Sequence, residues 1–320
     1  MSDSPSPARV PLIAAVAIVV GNMVGTGIFS SLSYQVGDIP SGFPILLLWL
    51  IGGVISFFGA VSYAELAAAF PRSGGEYQLL SRVYHPGIGF VAGWVSMIAA
   101  FPAPVAAAAL VFGRQIRDLA GGGPEIAERL AAAGLIIMIT GAHLISVMFS
   151  GKFQWIATGS KILLLIILAV CGFILPAGQP VHFLPQPGDG ALIGGTAFYV
   201  SLIYVLYTYS GWNAACYIAG EMDNPGKNVP RALLIGTAIV TVIYLGVNAA
   251  MLYAVPMGNL ALAGDGLAYE TARHTFRGFG VPLMAGLIAA GLASAVSAMT
   301  WAGPRVTQQM GVDYPFLGIL

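Results

Sequence analysis

Charge is what this sequence has least of. Of its 320 residues, 13 are lysine or arginine and 13 aspartate or glutamate, 8% in all, where a soluble domain carries about 25%. The two signs cancel, so no basic stripe is offered to nucleic acid and no acidic tail is present. Cysteine is nearly absent. Cys171 and Cys216 both fall in apolar runs, which gives neither a disulfide framework nor a metal site; both are expected to pack as small hydrophobes. Histidine is also scarce, with four residues. His85, His182 and His274 fall between apolar runs and show no ligand spacing. The chain also lacks a paired-cysteine motif, a phosphate-cradling P-loop and a nucleophile elbow, so it makes no case for an ATP-driven pump or a membrane hydrolase. No cofactor, no metal and no enzymatic activity are expected.

What remains is apolar. Hydrophobic residues make up 58% of the chain and the mean hydropathy is +0.85, the composition of an all-α polytopic membrane protein. Eight stretches are long enough to cross ~30 Å of hydrocarbon at about 1.5 Å per residue. They lie near 10–32, 42–69, 86–112, 131–149, 154–176, 191–219, 231–255 and 281–307. Residues 1–9 are a polar tail, 10–307 a single transmembrane domain and 308–320 a terminal segment. The first run leads into a multispanning chain and reads as a retained helix, not a cleaved signal. With the N-terminus cytoplasmic, Arg9, Arg72, Arg82, Lys152, Lys227, Arg231 and Arg305 fall inside, and Arg114, Arg117, Arg129, Arg273 and Arg277 outside. The sign of that bias puts both termini in the cytoplasm of a cell-membrane protein.

Two of the eight runs are poor helices at their centres. Val20–Phe29 holds Gly21, Gly25 and Gly27 with Asn22 and Thr26 between, and each glycine costs roughly 1 kcal/mol against alanine in a helix interior. The sixth run breaks likewise at Tyr209-Ser210-Gly211-Trp212-Asn213. Backbone that leaves a helix in a bilayer must line a cavity or be buried in protein. Two glycine-interrupted spans far apart therefore point to a transporter's substrate site, with freed amides at a half-helix N-terminus suited to an anion. The plainer reading is glycine that lets helices pack closely. Tyr199, Tyr204, Tyr207 and Tyr209 cluster before the second break and Trp212 follows it. Tyr207 and Trp212 are the candidates to gate a cavity, against ordinary packing.

Other residues carry two readings each. Lys161 lies about a third of the way into the fifth run, where a cation faces the bundle interior or a water-filled cavity, or else snorkels to the interface. The eighth run offers small polar groups at Ser294 and Ser297, one helical turn apart. His143 in the fourth run is a hydrogen-bonded packing residue or a relay. Glu65, near a membrane edge, is a cap or ion-pair partner, or a coupling group. Pro102 and Pro104 kink the third run, and Ala106 to Ala109 admit a neighbour closely. The Asn224-Pro225-Gly226 turn and Pro230 end one helix and start the next.

Four ordered stretches carry a family resemblance: Gly25-Thr26-Gly27-Ile28-Phe29; Tyr63-Ala64-Glu65-Leu66 through Pro71-Arg72-Ser73-Gly74-Gly75-Glu76-Tyr77; Tyr209-Ser210-Gly211-Trp212-Asn213; and Glu221-Met222 with Asn224-Pro225 through Pro230-Arg231. The chain resembles the amino acid–polyamine–organocation superfamily, close to its L-type amino acid transporter branch. That resemblance implies two five-helix inverted repeats, broken first and sixth helices, and alternating access. It implies that amides around Gly25, Thr26 and Gly27 take a substrate α-carboxylate, and that carbonyls near Tyr207, Tyr209 and Ser210 take the α-amine, with Gly211 and Trp212 completing the substrate-binding set. Lys161 matches a lysine that fills a sodium ion's place between the first, fifth and eighth helices in sodium-independent members. That match makes carbonyls around Gly21 to Val24 and the hydroxyls of Ser294 and Ser297 its candidate partners. The chain departs from the family in length, with eight of the usual ten to twelve helices and an end that looks like an interrupted loop. With no acidic residue in either break, the expected substrate is a zwitterionic amino acid carried by exchange or proton coupling. A non-transporting receptor or assembly subunit is the other class considered.

Overall fold

The computed structural model describes residues 9–174, 179–276 and 280–318. The tail before Arg9, Arg277 and the end of the expected fifth run lie outside them, as does the side chain of His274. Among the described residues every regular element is helical, and the one isolated bridge joins Val10 to Met222.

Among the described residues six helical spans are long and apolar enough to cross a membrane, Pro86–Leu119 counted as one, and two shorter apolar helices, α1 (Leu12–Met23) and α10 (Thr196–Thr208), are those that end at the glycine-rich breaks. After α1 the chain runs through Val24 to Thr26, a 3-10 turn at Gly27–Phe29 and the short α2 (Ser31–Val36). Next come α3 (Gly42–Ala69) and α4 (Gly75–Val83). The third run is α5 (Pro86–Val95) and α6 (Pro102–Leu119), joined by a π turn at Ser96–Ala100. There the Phe101 amide donates to Ser96 O, five residues back, at 3.2 Å. Pro102 has no amide to continue the ladder, so the kink sits where the proline demands it.

α7 (Glu125–Ile145) and α8 (Val147–Ile174) meet at Ser146, whose Oγ accepts the Phe149 amide at 3.0 Å. This cap starts α8 seven residues before the expected 154 and makes Ser150-Gly151-Lys152 helical. Lys161 consequently stands at the middle of its helix, not a third of the way in. After α9 (Asp189–Ile193) and α10, a loop and a 3-10 segment (Ala214–Glu221) lead to Asn224 at φ 43° and α11 (Pro225–Ala254). Pro225 is the first helical residue and Pro230 lies inside α11. The helix thus begins at the Asn-Pro turn, where a missing amide is harmless, and not after Pro230. α12 (Met257–Ala263), α13 (Leu267–Phe276) and α14 (Gly280–Asp313) complete the described chain. α14 runs past the expected 307 because Val306 and Met310 are buried against Tyr77 and Tyr217, and Asp313 pairs with Arg72.

α1 is the central element, packed on α8, α11 and α14, while α11 lies along α3. Gly53 makes the second contact so close, since a Cβ there would stand 2.5 Å from Thr241 Cγ2 of α11, while one on Gly52 would stand 2.5 Å from Val205 Cγ1 of α10. Without a hydrophobic drive between helices in lipid, such contact is what holds them. Trp49, Tyr209 and Tyr244 form the buried aromatic knot of α3, the second break and α11, with Trp49 edge-on to Tyr244 at 5.3 Å.

Candidate functional site

The two breaks meet around one cavity of about 420 Å³. Small-molecule sites span roughly 300–1,000 Å³. Gly25, Thr26 and Gly27 line it from the first break, and Tyr207, Thr208, Ser210, Gly211 and Asn213 from the second. α6 adds Pro104 and the small Ala107 and Ala108, with Phe101 just before it. Phe101 and Tyr217, edge-to-face at 5.0 Å, close one side with Asn213. Tyr207 stands on the open side, 77% exposed.

α1 stops because Val24 turns extended (φ −81°, ψ 93°) after its amide bonds to Val20 O at 2.9 Å. Among the described residues no hydrogen bond is donated by the amides of Gly25, Thr26 or Gly27. These are the orphan donors expected at a helix start. The second break turns at Gly211, whose φ of 102° suits glycine. Asn22 Nδ2 donates to Gly211 O at 3.3 Å, and Tyr244 OH reaches Met23 O at 2.9 Å and Thr208 O at 3.2 Å. Each of these side chains bridges the two breaks.

Lys161 holds the first break from outside the cavity. Its Nζ donates to Val24 O at 2.6 Å and Gly21 O at 3.2 Å, and the residue is 3% exposed. The lysine does not snorkel. The expected hydroxyl partners are elsewhere. Ser294 Oγ bonds Thr158 Oγ1 at 3.0 Å, and Ser297 Oγ bonds His143 Nε2 at 3.0 Å. The α14 residue beside the Lys161 stem is Gly291, where a Cβ would stand 3.5 Å from Lys161 Cε. Ser294 faces α8 one turn earlier, so it meets Thr158 and Gln154 instead. Gln154, Thr158 and Ser294 press on Gly21 so tightly that a Cβ there would overlap Gln154 Nε2. His143 is thus tied to α14, beside Trp301.

Two of the predicted aromatics turn away. Tyr209 is fully buried and its OH donates to Trp49 O at 3.0 Å. Trp212 stacks edge-on against Tyr63 at 4.9 Å and lies over Gly59 of α3. Neither side chain lines the cavity, because in an irregular turn successive side chains follow no helical period. Phe101 takes the place expected of Trp212.

The residue that sequence reasoning missed is Glu76 on α4. Its Oε1 accepts from Asn213 Nδ2 at 2.5 Å and Tyr63 OH at 3.3 Å, and its Oε2 accepts from Tyr217 OH. A carboxylate therefore does reach the second break, occupied by three donors and brought from 137 residues away. Only its place in the Gly74-Gly75-Glu76 motif hinted at it. Around it the same end is pinned by Arg72–Asp313 at 2.5 Å, Tyr77 OH to Asp313 at 2.8 Å, Trp301 Nε1 to Glu221 at 3.0 Å and the Arg305–Glu221 ion pair. Burial and the neighbouring Asp313 carboxylate hold the Tyr77 phenol protonated well above its ordinary range. Glu65 is exposed and takes part in none of the ion pairs found among the described residues.

Comparison with known proteins places this geometry. The model of the family described as amino acid permease matches residues 11–316. The cystine/glutamate transporter of Homo sapiens is 32% identical over 259 residues, covering 80% of this chain and 52% of that protein. The b(0,+)-type amino acid transporter 1 of Homo sapiens is 31% identical over 240 residues, 74% of this chain and 49% of that protein. The serine/threonine exchanger SteT of Bacillus subtilis (strain 168) is 28% identical over 306 residues, 94% and 68%. The chain spans about half the length of the two human relatives. With a family match over nearly its whole length and a polytopic helical fold to accompany it, the chain belongs to the amino acid permease family.

Proposed function

We propose that this chain forms the substrate-binding core of a secondary amino acid carrier that works by alternating access in the cell membrane, with the Arg72–Asp313 end cytoplasmic. The observation that carries this reading is the pair of breaks around one cavity, with free amides on one side. The amides of Gly25, Thr26 and Gly27 take the α-carboxylate. Charge-assisted bonds to an anion are roughly twice as strong as neutral ones. The α-amine goes to the second break, first to the carbonyl of Ser210, with that of Tyr207, which accepts the Ser210 amide at 3.0 Å, beside it. The side chain of the substrate lies toward Ala107, Ala108 and Tyr207. Glu76, already satisfied, is not the amine's partner, which keeps the substrate zwitterionic and not polycationic.

Transport is sodium-independent in this reading. The Lys161 ammonium, fixed to Gly21 O and Val24 O, supplies covalently the charge that a bound cation would bring to the first break. The name of one relative, the serine/threonine exchanger, favours exchange over uniport; proton coupling is the other mode. The test is counterflow of a labelled neutral amino acid into proteoliposomes without sodium. Accumulation against unlabelled substrate supports the reading. Saturable binding without any exchange would replace the carrier by a receptor.

A further inference from the structure

The end of the bundle that carries Arg72 and Asp313 has a second concavity that the carrier function leaves unused. It lies between the start of α1 and the first turns of α8 and encloses about 330 Å³. Its α8 wall is Met148, Gly151, Lys152 and Trp155, the i, i+3, i+4 and i+7 positions of one helical face. Ile13 and Ala14 of α1 form the facing wall. Gly151 sets the depth of the groove, because it lets α1 come close: a Cβ there would stand 3.5 Å from Ala14 Cβ. Ile13, Met148 and Trp155 are 57%, 54% and 49% exposed. Arg9 and Lys152 stand on the same groove, both exposed. Among the described residues neither side chain has an ion-pair or hydrogen-bond partner, whereas Arg72 and Arg305 at this end are both paired with carboxylates.

We propose that this groove is a binding site for one anionic phospholipid, its phosphate between Arg9 and Lys152 and an acyl chain along Ile13, Met148 and Trp155. Apolar surface alone meets any lipid and selects none. Two unpaired cations where that surface begins select an anion joined to an apolar chain. A free phosphate would satisfy the cations and leave the apolar walls bare. A zwitterionic headgroup brings its own cation into the pair. Trp155 lies one turn farther along α8 than Lys152, where an indole sits at the boundary of headgroup and hydrocarbon. The site braces α1 against α8, the two helices that Lys161 already joins at Gly21 and Val24. It needs only that the chain spans a membrane and does not depend on the substrate.

The test uses the full chain purified in detergent and returned to nanodiscs of phosphatidylglycerol or phosphatidylcholine, with retained lipid read by native mass spectrometry and stability by thermal melting. One phosphatidylglycerol per chain should survive delipidation, and melting should be higher in phosphatidylglycerol. The Arg9→Gln/Lys152→Gln pair should weaken retention about tenfold or more, as two lost cations imply. Both residues are exposed and unpaired, so folding should survive; Lys152→Gln alone serves if the pair lowers yield. Lys227→Gln/Arg231→Gln removes the same charge elsewhere at this end and should leave retention unchanged. Equal retention of phosphatidylcholine, equal loss in the control pair, or a melting shift reproduced by inorganic phosphate alone would each overturn the proposal.

Discussion

The two breaks face one cavity but are held in opposite ways. The first is held through its main chain. Lys161 grips the carbonyls of Gly21 and Val24 from within the bundle, and the freed amides are left for the cavity. The second is held through its side chains. Glu76 grips Asn213, and beyond it Tyr217, from the end of the bundle. Of the carbonyls there, those of Thr208 and Gly211 already accept from Tyr244 and Asn22, and Ser210 O is left without a donor among the described residues. In the proposed carrier, a cation thus anchors the break assigned to the substrate's anion, and an anion anchors the break assigned to its amine. Each anchor spends its charge on its own break, so the faces turned to the cavity are neutral dipoles. That arrangement suits a ligand carrying one charge of each sign, and it makes the anchors separable by substitution.

The largest effect should come from the first anchor. Lys161→Ala leaves two buried carbonyls without donors, at ~1–3 kcal/mol each, and opens space against Gly291. Exchange in the complete transporter should fall to background while the protein still inserts. Sodium should not restore it. A fully active Lys161→Ala variant, or uptake that requires sodium, would remove the charge argument for the first break.

Gly27→Val should come next, with binding of substrate lost. A Cβ on Gly27 would stand 2.6 Å from Thr208 Oγ1, so this variant forces the two breaks apart as well as crowding the ligand. Gly25→Ala is the cleaner probe, because a Cβ there meets nothing within 4 Å. It should keep the melting temperature and lower affinity about tenfold, equivalent to ~1.4 kcal/mol. Unchanged affinity in Gly25→Ala would take the amides out of the carboxylate site.

The second anchor should matter less to binding and more to closure. Glu76→Gln keeps the shape but loses charge-assisted bonds worth ~1.5–3 kcal/mol, and it sets an amide donor against donors. Exchange should fall about tenfold, and efflux into substrate-free medium should rise as the Arg72–Asp313 end loosens. If coupling and rate are both normal in Glu76→Gln, the carboxylate is only packing.

How much of this was legible follows from the range of the signals. The breaks were readable because glycine and asparagine are locally poor helix formers, and Gly211 at φ 102° is where the chain turns. The Lys161 contact with the first break was legible only through the family resemblance, which puts a lysine between the first, fifth and eighth helices; the residue alone left snorkelling open. Its depth in the helix was not legible, because Ser146, and not the Ser150–Lys152 segment, separates α7 from α8. Glu76 and Tyr244 could not be assigned, since their partners lie far off in sequence and a lone tyrosine in an apolar run has no local signature. Ser294 and Ser297 lie on the helix that meets Lys161, but one and nearly two turns beyond Gly291, the residue beside its stem. The Trp212 side chain turns away from the cavity for the reason that made the break detectable: where the helix ends, periodicity stops telling which way a side chain points.

The aromatics at the second break give the smallest and sharpest test of the contrast. Tyr207 is the last but one residue of α10 and projects beside the cavity, 77% exposed. Trp212 is half-buried against Tyr63 and Gly59. If the second break contributes backbone to the site and uses its large side chains for packing, the two alanine variants must part. Tyr207→Ala should leave the melting temperature within about a degree, since surface substitutions rarely exceed ~0.5 kcal/mol. It should change apparent affinity by a few-fold, with the larger change for bulky substrates that lie near it. Trp212→Ala should lower stability by about 3–5 kcal/mol at most, the cost of removing a large packed ring. Its activity per folded molecule should stay close to normal. Should Trp212→Ala change affinity at full protein level, its indole reaches the substrate in another conformation of the cycle, and the division between a main-chain site and side-chain packing fails at the second break.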